Sequence, residues 1–243
     1  MFVFNISAIM DFGESIHAAG QASKSFKVYS ANIHKDNREL LKLNLEIQKV
    51  DPEIVLLLEV DLEQDEQLRS IMQNYPYRIK NVSFESLGFV FLSKFPVHSH
   101  NVTKLSEFGN SLLEAILEIN QTPVKFYGIH AQRPRLGNYL ERKNQFLQLA
   151  RQIKEQSLPV IVAGDFNATP YSPVFRELVN NTGLKDSREG FGWQPSWPTF
   201  FPPLWIPIDH VLVTPDIQVR KRTTGSYIGS DHYPVIAELS FSH

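Results

Sequence analysis

A short apolar run followed at once by two polar residues is the stretch of this sequence best suited to chemistry. Val160–Ala163 (VIVA) is too short for a helix and rich in β-branched residues, which is typical of a buried strand. Gly164 ends the run, and Asp165 and Asn167 follow two residues apart. If the chain stays extended there, both side chains point the same way. A carboxylate and an amide at the carboxyl end of a buried strand are typical of α/β active sites, although turn geometry alone also favours Asp and Asn.

Polar residues of the same chemical character stand at other predicted strand ends. They are Asn32, Glu59, His130, Asp209, and Asp231 with His232. Turn preference alone would also place Ser, Gly and Lys at such positions, so a set restricted to Asn, Asp, Glu and His indicates a shared site. His210 would face the opposite side of its strand from Asp209 and is interpreted as a core or surface residue.

The strands that would position these residues are predicted from the apolar pattern. Phe26–Ile33 alternates and carries Asn32 near its end, while Ile54–Leu58 is continuously apolar, which is typical of a central strand. Glu59 follows directly, either as a site residue or as the N-terminal acid of a helix over EVDLEQDEQLRSIM. The further predicted strands are Gly88–Ser93 paired with Val97–Thr103, Leu112–Ile119 paired with Val124–Ile129, Ile208–Val213, Gln218–Thr223 and Pro234–Leu239.

Amphipathic helices are predicted between several of these strands. One begins after a cap at Asp36 or Asn37 and ends at Asp51, because the residue before a proline disfavours helical geometry. Asn138–Gln156 is predicted to form a long helix, and a further helix opens after Ser172, whose hydroxyl can cap it.

The segment Gly190–Pro207 is rich in proline and aromatic residues and is predicted to form a long loop. It ends just before Asp209, so its aromatic residues from Trp193 to Trp205 would lie near the site. Two interpretations stay open. These side chains either cover the sheet edge as part of the core, or they form a wall for an apolar substrate group or a contact with a membrane surface.

The overall composition limits the partners, metal ligands and membrane segments that this chain could have. The chain has 243 residues, 42% of them hydrophobic, and a formal net charge of -2, which argues against broad, sequence-independent binding to long nucleic acid. With no Cys, a metal site must use oxygen or imidazole ligands. Since no apolar stretch reaches about 18 residues, we expect no membrane-spanning helix. The compartment, cytoplasmic or extracytoplasmic, is left open. We expect residues 1–25 to be a weakly ordered lead-in and residues 26–243 to form a single domain.

Taken together, these residues resemble the motifs of the endonuclease/exonuclease/phosphatase superfamily, which includes pancreatic deoxyribonuclease and the neutral sphingomyelinases. The matching segments are Asn32, LEV at 58–60, HAQRP at 130–134, GDFN at 164–167, IDHV at 208–211 and SDHYP at 230–234. They occur in the correct order over nearly the whole chain. GDFN and GSDHxP, with IDH between them, form a specific signature, and the Trp/Pro-rich loop is similar to that of an uncharacterised bacterial branch.

The resemblance implies a four-layer α/β sandwich, like that of deoxyribonuclease, in which two mixed sheets lie face to face between helices. It also implies a Mg²⁺ cofactor, with Mn²⁺ as a substitute, held by Asn32, Glu59 and Asp231. Asp165 would accept a proton from the attacking water, and Asn167 would hold that water or a phosphoryl oxygen.

The resemblance assigns a second group to the phosphate. Asp209 would orient His232, which would act on the phosphate as a base or as a cation. Whether Asp165 or His232 is the base stays open. His130 would stabilise the phosphate or the leaving group. Arg133 would bind substrate, with a solvated surface role as the alternative.

The expected function is therefore that of a Mg²⁺-dependent phosphodiesterase among the phosphoric ester hydrolases. Its substrate would be a nucleic acid, a phospholipid such as sphingomyelin, or a small phosphodiester, and the chain would act as a monomer. The alternative is a non-catalytic binding or scaffolding domain that retains the fold. It is less favoured because every expected metal and histidine position is filled.

Overall fold

Two six-stranded mixed sheets form the centre of the computed structural model, which describes residues 24–82, 88–105 and 110–242. The first sheet consists, in spatial order, of β11 (Ile217–Thr224), β12 (Val235–Phe241), β1 (Phe26–Asn32), β2 (Ile54–Val60), β4 (Gly88–Ser93) and β3 (Tyr77–Asn81). The second consists of β5 (Val97–Lys104), β6 (Ser111–Ile119), β7 (Thr122–His130), β8 (Val160–Asp165), β10 (Asp209–Val213) and β9 (Lys185–Asp186). Each sheet contains one parallel pair, β1 with β2 and β7 with β8.

Helices cover the outer face of each sheet. They are α1 (Leu40–Val50), α2 (Leu62–Gln67) and α3 (Arg69–Met72) beside the first sheet, and α4 (Tyr139–Lys154) and α5 (Pro173–Thr182) beside the second. Alternation along β2 shows the layering. Ile54 and Leu56 pack into the core between the sheets, whereas Val55 and Leu57 pack beneath the helices. Burial on both faces explains why this strand is continuously apolar.

This arrangement confirms the predicted four-layer α/β sandwich. One strand pairing was predicted wrongly. β4 pairs with β2 and β3 in the first sheet, whereas β5 pairs with β6 in the second. The short segment at residues 94–96, which resembles a hairpin turn in sequence, instead carries the chain from one sheet to the other.

The predicted cap of α1 is also wrong. Glu39 occupies the N-cap position and its side chain makes no capping bond. Asn37 lies two residues earlier, where its Oδ1 accepts a hydrogen bond from the Glu39 backbone N–H at 2.8 Å and its Nδ2 donates to the Ile228 carbonyl at 3.0 Å. Asn37 therefore fastens the loop before the helix to the far end of the chain. The Ser172 cap of α5 is confirmed by its bond from the Phe175 N–H.

The predicted lead-in falls almost wholly outside the described residues, and the single domain over residues 26–243 stays a prediction. No helix in residues 24–82, 88–105 and 110–242 is long and apolar enough to cross a membrane.

Candidate active site

Three of the predicted site residues lie side by side across the second sheet. His130 pairs with Asp165 in the parallel register of β7 and β8, and Asp209 pairs with the same Asp165 in the antiparallel register of β10 and β8. All three side chains are buried. The sheet register thus brings together residues from positions 130, 165 and 209 of the chain.

The backbone around Asp165 requires its flanking residues. Gly164 has a φ of +142°, and a Cβ there would lie 1.9 Å from the Ile129 carbonyl oxygen, so only glycine fits. Asn167 has a φ of +46°, a region that Asn tolerates better than most residues. Its backbone N–H donates to Asp165 Oδ1 at 2.8 Å, and its side-chain Nδ2 donates to the Ala131 carbonyl at 2.9 Å. Asn167 therefore fixes both the carboxylate and the neighbouring loop.

Glu59 occupies a strained position within β2. It has a φ of +60°, and the register of β2 against β4 shifts between Leu58 and Val60, which marks a bulge. Opposite this bulge, a Cβ on Gly88 would lie 2.5 Å from the Val60 carbonyl. The alternative role as a helix N-terminal acid is wrong, because Asp61 caps the following helix. A buried acid on an irregular backbone points to a functional role.

Asn32 connects the two sheets at this edge. Its Nδ2 donates to Glu59 Oε1 at 2.9 Å in the first sheet and to Asp165 Oδ2 at 3.1 Å in the second. One fully buried amide therefore holds two carboxylates close together.

His232 completes the cluster through a carboxylate partner. Its Nδ1 lies 2.8 Å from Asp209 Oδ2, and its Nε2 lies 3.9 Å from Asp165 Oδ2. Burial by itself lowers the pKa of His232, but Asp209 and Asp165 outweigh burial and raise it to about 10. The His232 ring therefore carries a positive charge and lies between the carboxylates of Asp209 and Asp165.

The pKa values of the two acids, Asp165 and Glu59, are shifted in opposite directions. Burial and the nearby Asp209 carboxylate raise the pKa of Asp165. Burial also acts to raise the pKa of Glu59, but His130, Asn32 and Arg133 together lower it below its ordinary value.

His130 and Arg133 face Glu59 from the loop that follows β7. Arg133 Nη2 lies 2.7 Å from Glu59 Oε1, and His130 Nε2 lies 3.7 Å from that oxygen and 3.7 Å from Asp165 Oδ2. Arg133 is half exposed, so it can exchange this carboxylate for another anion. The alternative of a purely solvated Arg133 does not fit this contact.

Asp231 precedes His232 in the sequence and is bonded to the aromatic loop. Trp197 Nε1 donates to Asp231 Oδ2 at 3.1 Å, while Asp231 Oδ1 is buried without a hydrogen-bond partner among the described residues. The loop is tied to the same segment by its backbone, since the Thr199 N–H donates to the Asp231 carbonyl and the Tyr233 N–H to the Ser196 carbonyl. Trp197 thus binds the side chain of a site residue, whereas Phe200 is exposed.

Two cavities open on either side of Arg133. One, of about 230 Å³, is polar and is lined by His34, Lys35, Glu59, Asn110, His130, Gln132, Arg133 and Arg135. The other, of about 260 Å³, is more apolar and is lined by Arg133, Pro134, Asn167, Trp197, Ile206, Ile208, Asp231 and His232. A phosphate at the cluster would have room for a substituent in each direction.

The donor set suits a hard divalent cation. Carboxylate and amide oxygens of Glu59, Asn32 and Asp231 are the ligand types that Mg²⁺ prefers, and the unpartnered buried Oδ1 of Asp231 has a lone pair to offer. Asp165, Asp209 and His232 form an alternative group whose ligand atoms lie within 4.8 Å of one another. In that group, however, Nδ1 of His232 is already bonded to Asp209.

Some residues at the site were missed from the sequence. Trp197 was recognised only as part of an aromatic loop, because nothing in its spacing indicates which tryptophan turns inward. Ser230 was also missed, although it lies in the SDH motif. Its hydroxyl donates to the Asn32 carbonyl at 2.7 Å and accepts from the His232 N–H at 3.0 Å, and so links the end of β1 to the loop before β12.

Comparison with known proteins identifies the family. The sequence model of the endonuclease/exonuclease/phosphatase family matches residues 28–232. This chain belongs to that family. The motif residues therefore belong to a fold shared by phosphoester hydrolases, and membership supports a metal-dependent phosphoesterase in general. No curated protein sequence matches the chain.

Solved structures of the family share the fold. A family protein from Bacteroides vulgatus is 22% identical with a TM-score of 0.77, and 90% of this chain aligns with 100% of that one. A family protein from Bacteroides thetaiotaomicron is 19% identical with a TM-score of 0.76, over 90% and 99% of the two chains. TDP2 from D. rerio, solved with a single-stranded DNA product, is 17% identical with a TM-score of 0.74, over 89% and 99%.

Proposed function

We propose that the protein is a Mg²⁺-dependent phosphodiesterase. The observation that carries this proposal is the convergence of Glu59, Asp165 and the His232–Asp209 pair at one edge of the sandwich, joined by the amide of Asn32. Two acids and a carboxylate-bound imidazole around one cavity edge are suited to the hydrolysis of a phosphate ester.

The cation would be held by Glu59, with Asn32 and Asp231. Bound there, Mg²⁺ would supply positive charge to the phosphoryl oxygens, and Mn²⁺ would substitute for it.

Asp165 accepts the proton of the attacking water in this proposal. Its two oxygens are fixed by the Asn167 N–H and by the Asn32 amide, so the carboxylate has a defined direction. Asn167, whose Nδ2 lies 3.2 Å from Asp165 Oδ2, helps to position the water.

His232 and His130 engage the phosphate from the other sides. Asp209 holds Nδ1 of His232, which leaves Nε2 directed towards Asp165 and the site. His130 Nε2 is equidistant from Glu59 and Asp165, at 3.7 Å, where it can donate to a phosphoryl or leaving oxygen. Arg133 contributes a further cation between the two cavities.

Turnover of bis(p-nitrophenyl) phosphate with Mg²⁺ or Mn²⁺ tests the reaction. We expect hydrolysis that EDTA abolishes, and kcat about a hundredfold lower or worse in Asp165→Asn and His232→Ala. His100→Ala, at an exposed position on β5, is the matched control and should retain the wild-type rate. Wild-type rates in both site variants would reject the assignment. If the wild type also failed to hydrolyse any phosphodiester, the binding or scaffolding domain would be the better account.

The substrate class is resolved by a panel of single-stranded DNA, RNA, sphingomyelin, other phospholipids and inositol phosphates. The DNA product bound to TDP2 favours nucleic acid, whereas the apolar cavity beside Trp197 favours a lipid or another apolar group.

A further inference from the structure

We propose that the protein docks on a phospholipid bilayer through a rim of apolar side chains around its active site. The apolar rim consists of Leu136, Tyr139, Leu140, Phe200, Phe201 and Leu204. The inference rests on the proposed phosphodiesterase function, because docking would direct that site towards lipid headgroups.

The apolar rim lies on two segments that border the same cavity. Arg133 and Pro134, just before Leu136, line the 260 Å³ cavity on one side. Trp197 and Ile206, which bracket the Phe200–Leu204 segment, line it on the other. Six of the eleven large hydrophobic side chains exposed in the described residues thus lie in two short segments, 136–140 and 200–204, that adjoin the lining of this cavity in sequence, with Leu136 fully exposed and Phe200 75% exposed.

The loop that carries the second half of the apolar rim is held in place. Besides the bonds from Thr199 and Tyr233 described above, the Thr199 hydroxyl donates to the Ser230 carbonyl at 2.9 Å. Residues Pro202–Leu204 form a short 3₁₀ helix, and the Ile206 N–H donates to the Trp197 carbonyl at 2.7 Å. These bonds hold the backbone beneath Phe200 and Phe201, so the rings project from a fixed base.

The chemistry of the two segments selects a lipid surface. Neither 136–140 nor 190–207 contains a charged residue, whereas Lys35, Arg133 and Arg135 line the adjoining polar cavity. Exposed aromatic and aliphatic side chains can enter the interfacial region of a bilayer, and the neighbouring cationic side chains can bind its phosphate groups. Single-stranded nucleic acid would stack on the rings, but it offers no apolar partner for aliphatic side chains such as Leu136.

Vesicle binding in EDTA tests the docking surface without any hydrolysis. The probe is a vesicle of phosphatidylcholine and phosphatidylglycerol, with co-sedimentation and tryptophan fluorescence as readouts. All three tryptophans of the chain lie between Trp193 and Trp205, so fluorescence reports on this loop. We compare the wild type with the double variant Leu136→Ser/Phe200→Ser. The control is Leu41→Ser/Leu45→Ser on α1, where the side chains are 71% and 57% exposed.

The wild type should sediment with vesicles and show a blue shift. The apolar-rim variant should lose affinity about tenfold for each side chain removed, roughly a hundredfold in all, while the control keeps it. No vesicle binding by the wild type, or equal loss in both variants, would overturn the proposal. So would binding of single-stranded DNA, lost in the apolar-rim variant, in place of vesicle binding. Wild-type turnover of bis(p-nitrophenyl) phosphate without vesicles tests the proposed function separately.

Discussion

Two histidine–carboxylate pairs lie on opposite faces of β10. One pair contains Asp209 and the other contains the next residue, His210. Asp209 faces the gap between the sheets and binds His232 Nδ1 at 2.8 Å. His210 faces the helices and binds Asp186 through Nδ1 at 3.1 Å. All four residues are buried. The chemical groups are the same, so their surroundings must explain any difference in role.

The second nitrogen of each ring shows the difference. Nε2 of His210 is bonded to the Ala168 carbonyl at 3.0 Å, and the ring packs against Phe166 and Phe175 with centroids 5.4 and 4.4 Å away. Both nitrogens of this ring therefore have a hydrogen-bond partner. Nε2 of His232 has no hydrogen-bond partner within the described part of the chain. An imidazole with one nitrogen fixed and one free is available for chemistry, whereas one with both fixed serves the fold.

The largest expected effect is on activity, at His232. His232→Gln should lower kcat for bis(p-nitrophenyl) phosphate by about 10²- to 10⁴-fold, because the free nitrogen and its charge are lost. Its free energy of unfolding should fall by less than that of His210→Gln, since His232 lines a cavity that solvent can enter. Steady-state kinetics and urea unfolding on the same preparation check both parts. Full activity in His232→Gln would show that the free nitrogen of His232 is not needed for the reaction.

The opposite result is expected at His210. His210→Gln removes the ring bonded to the buried Asp186 carboxylate, where Arg188 Nε remains 3.7 Å away, and this should cost about 3–5 kcal/mol of unfolding free energy. In a chain of this length that corresponds to a fall in Tm of roughly 10 °C. The kcat at a temperature where the variant is folded should stay within a few-fold of wild type. Stability equal to wild type would show that this pair is dispensable.

Unfolding by acid tests the structural role of the His210–Asp186 pair. Burial acts to raise the pKa of Asp186, but the hydrogen bond to His210 and the charges of His210 and Arg188 together outweigh it and lower the pKa below its ordinary value. A lowered carboxyl pKa stabilises the fold above the unfolded pKa of about 3.9 and loses that contribution as pH falls through the folded value. Asp186→Asn should therefore be less stable than wild type at pH 7 and should lose less further stability below about pH 4. Parallel stability curves for the two proteins from pH 7 to pH 2 would contradict this.

Sequence was a good guide to the strands that carry the site and a poor guide to how they meet. The VIVA run and the continuous apolar stretch before Glu59 predicted β8 and β2, because burial on both faces leaves a local signature. The crossing from β4 to β5 left none, since a short turn looks the same within a sheet as between sheets. The bulge at Glu59 and the inward turn of Trp197 depend on distant partners, Gly88 and Asp231, so no local pattern marks them.

A smaller effect is expected where the aromatic loop supports the site. Trp197→Phe keeps the ring but removes the Nε1 donor to Asp231 Oδ2, so that carboxylate loses its fixed direction. Affinity for Mg²⁺ should fall about tenfold, with little change in Tm. Calorimetric titration with Mg²⁺ measures this, and Trp205→Phe in the same loop is the control. Equal affinities in the two variants would mean that Asp231 is oriented without the indole.

The most direct test of the account asks whether Glu59 and His232 act on one phosphorus atom. It compares kcat/KM for bis(p-nitrophenyl) phosphate in Glu59→Gln, His232→Gln and the double variant. Because Asn32 joins Glu59 to Asp165 and His232 faces the same carboxylate, the losses should be strongly non-additive. We predict that the double variant lies within about tenfold of the slower single variant. A double variant whose loss equals the product of the two single losses would show that Glu59 and His232 act independently and would contradict the account.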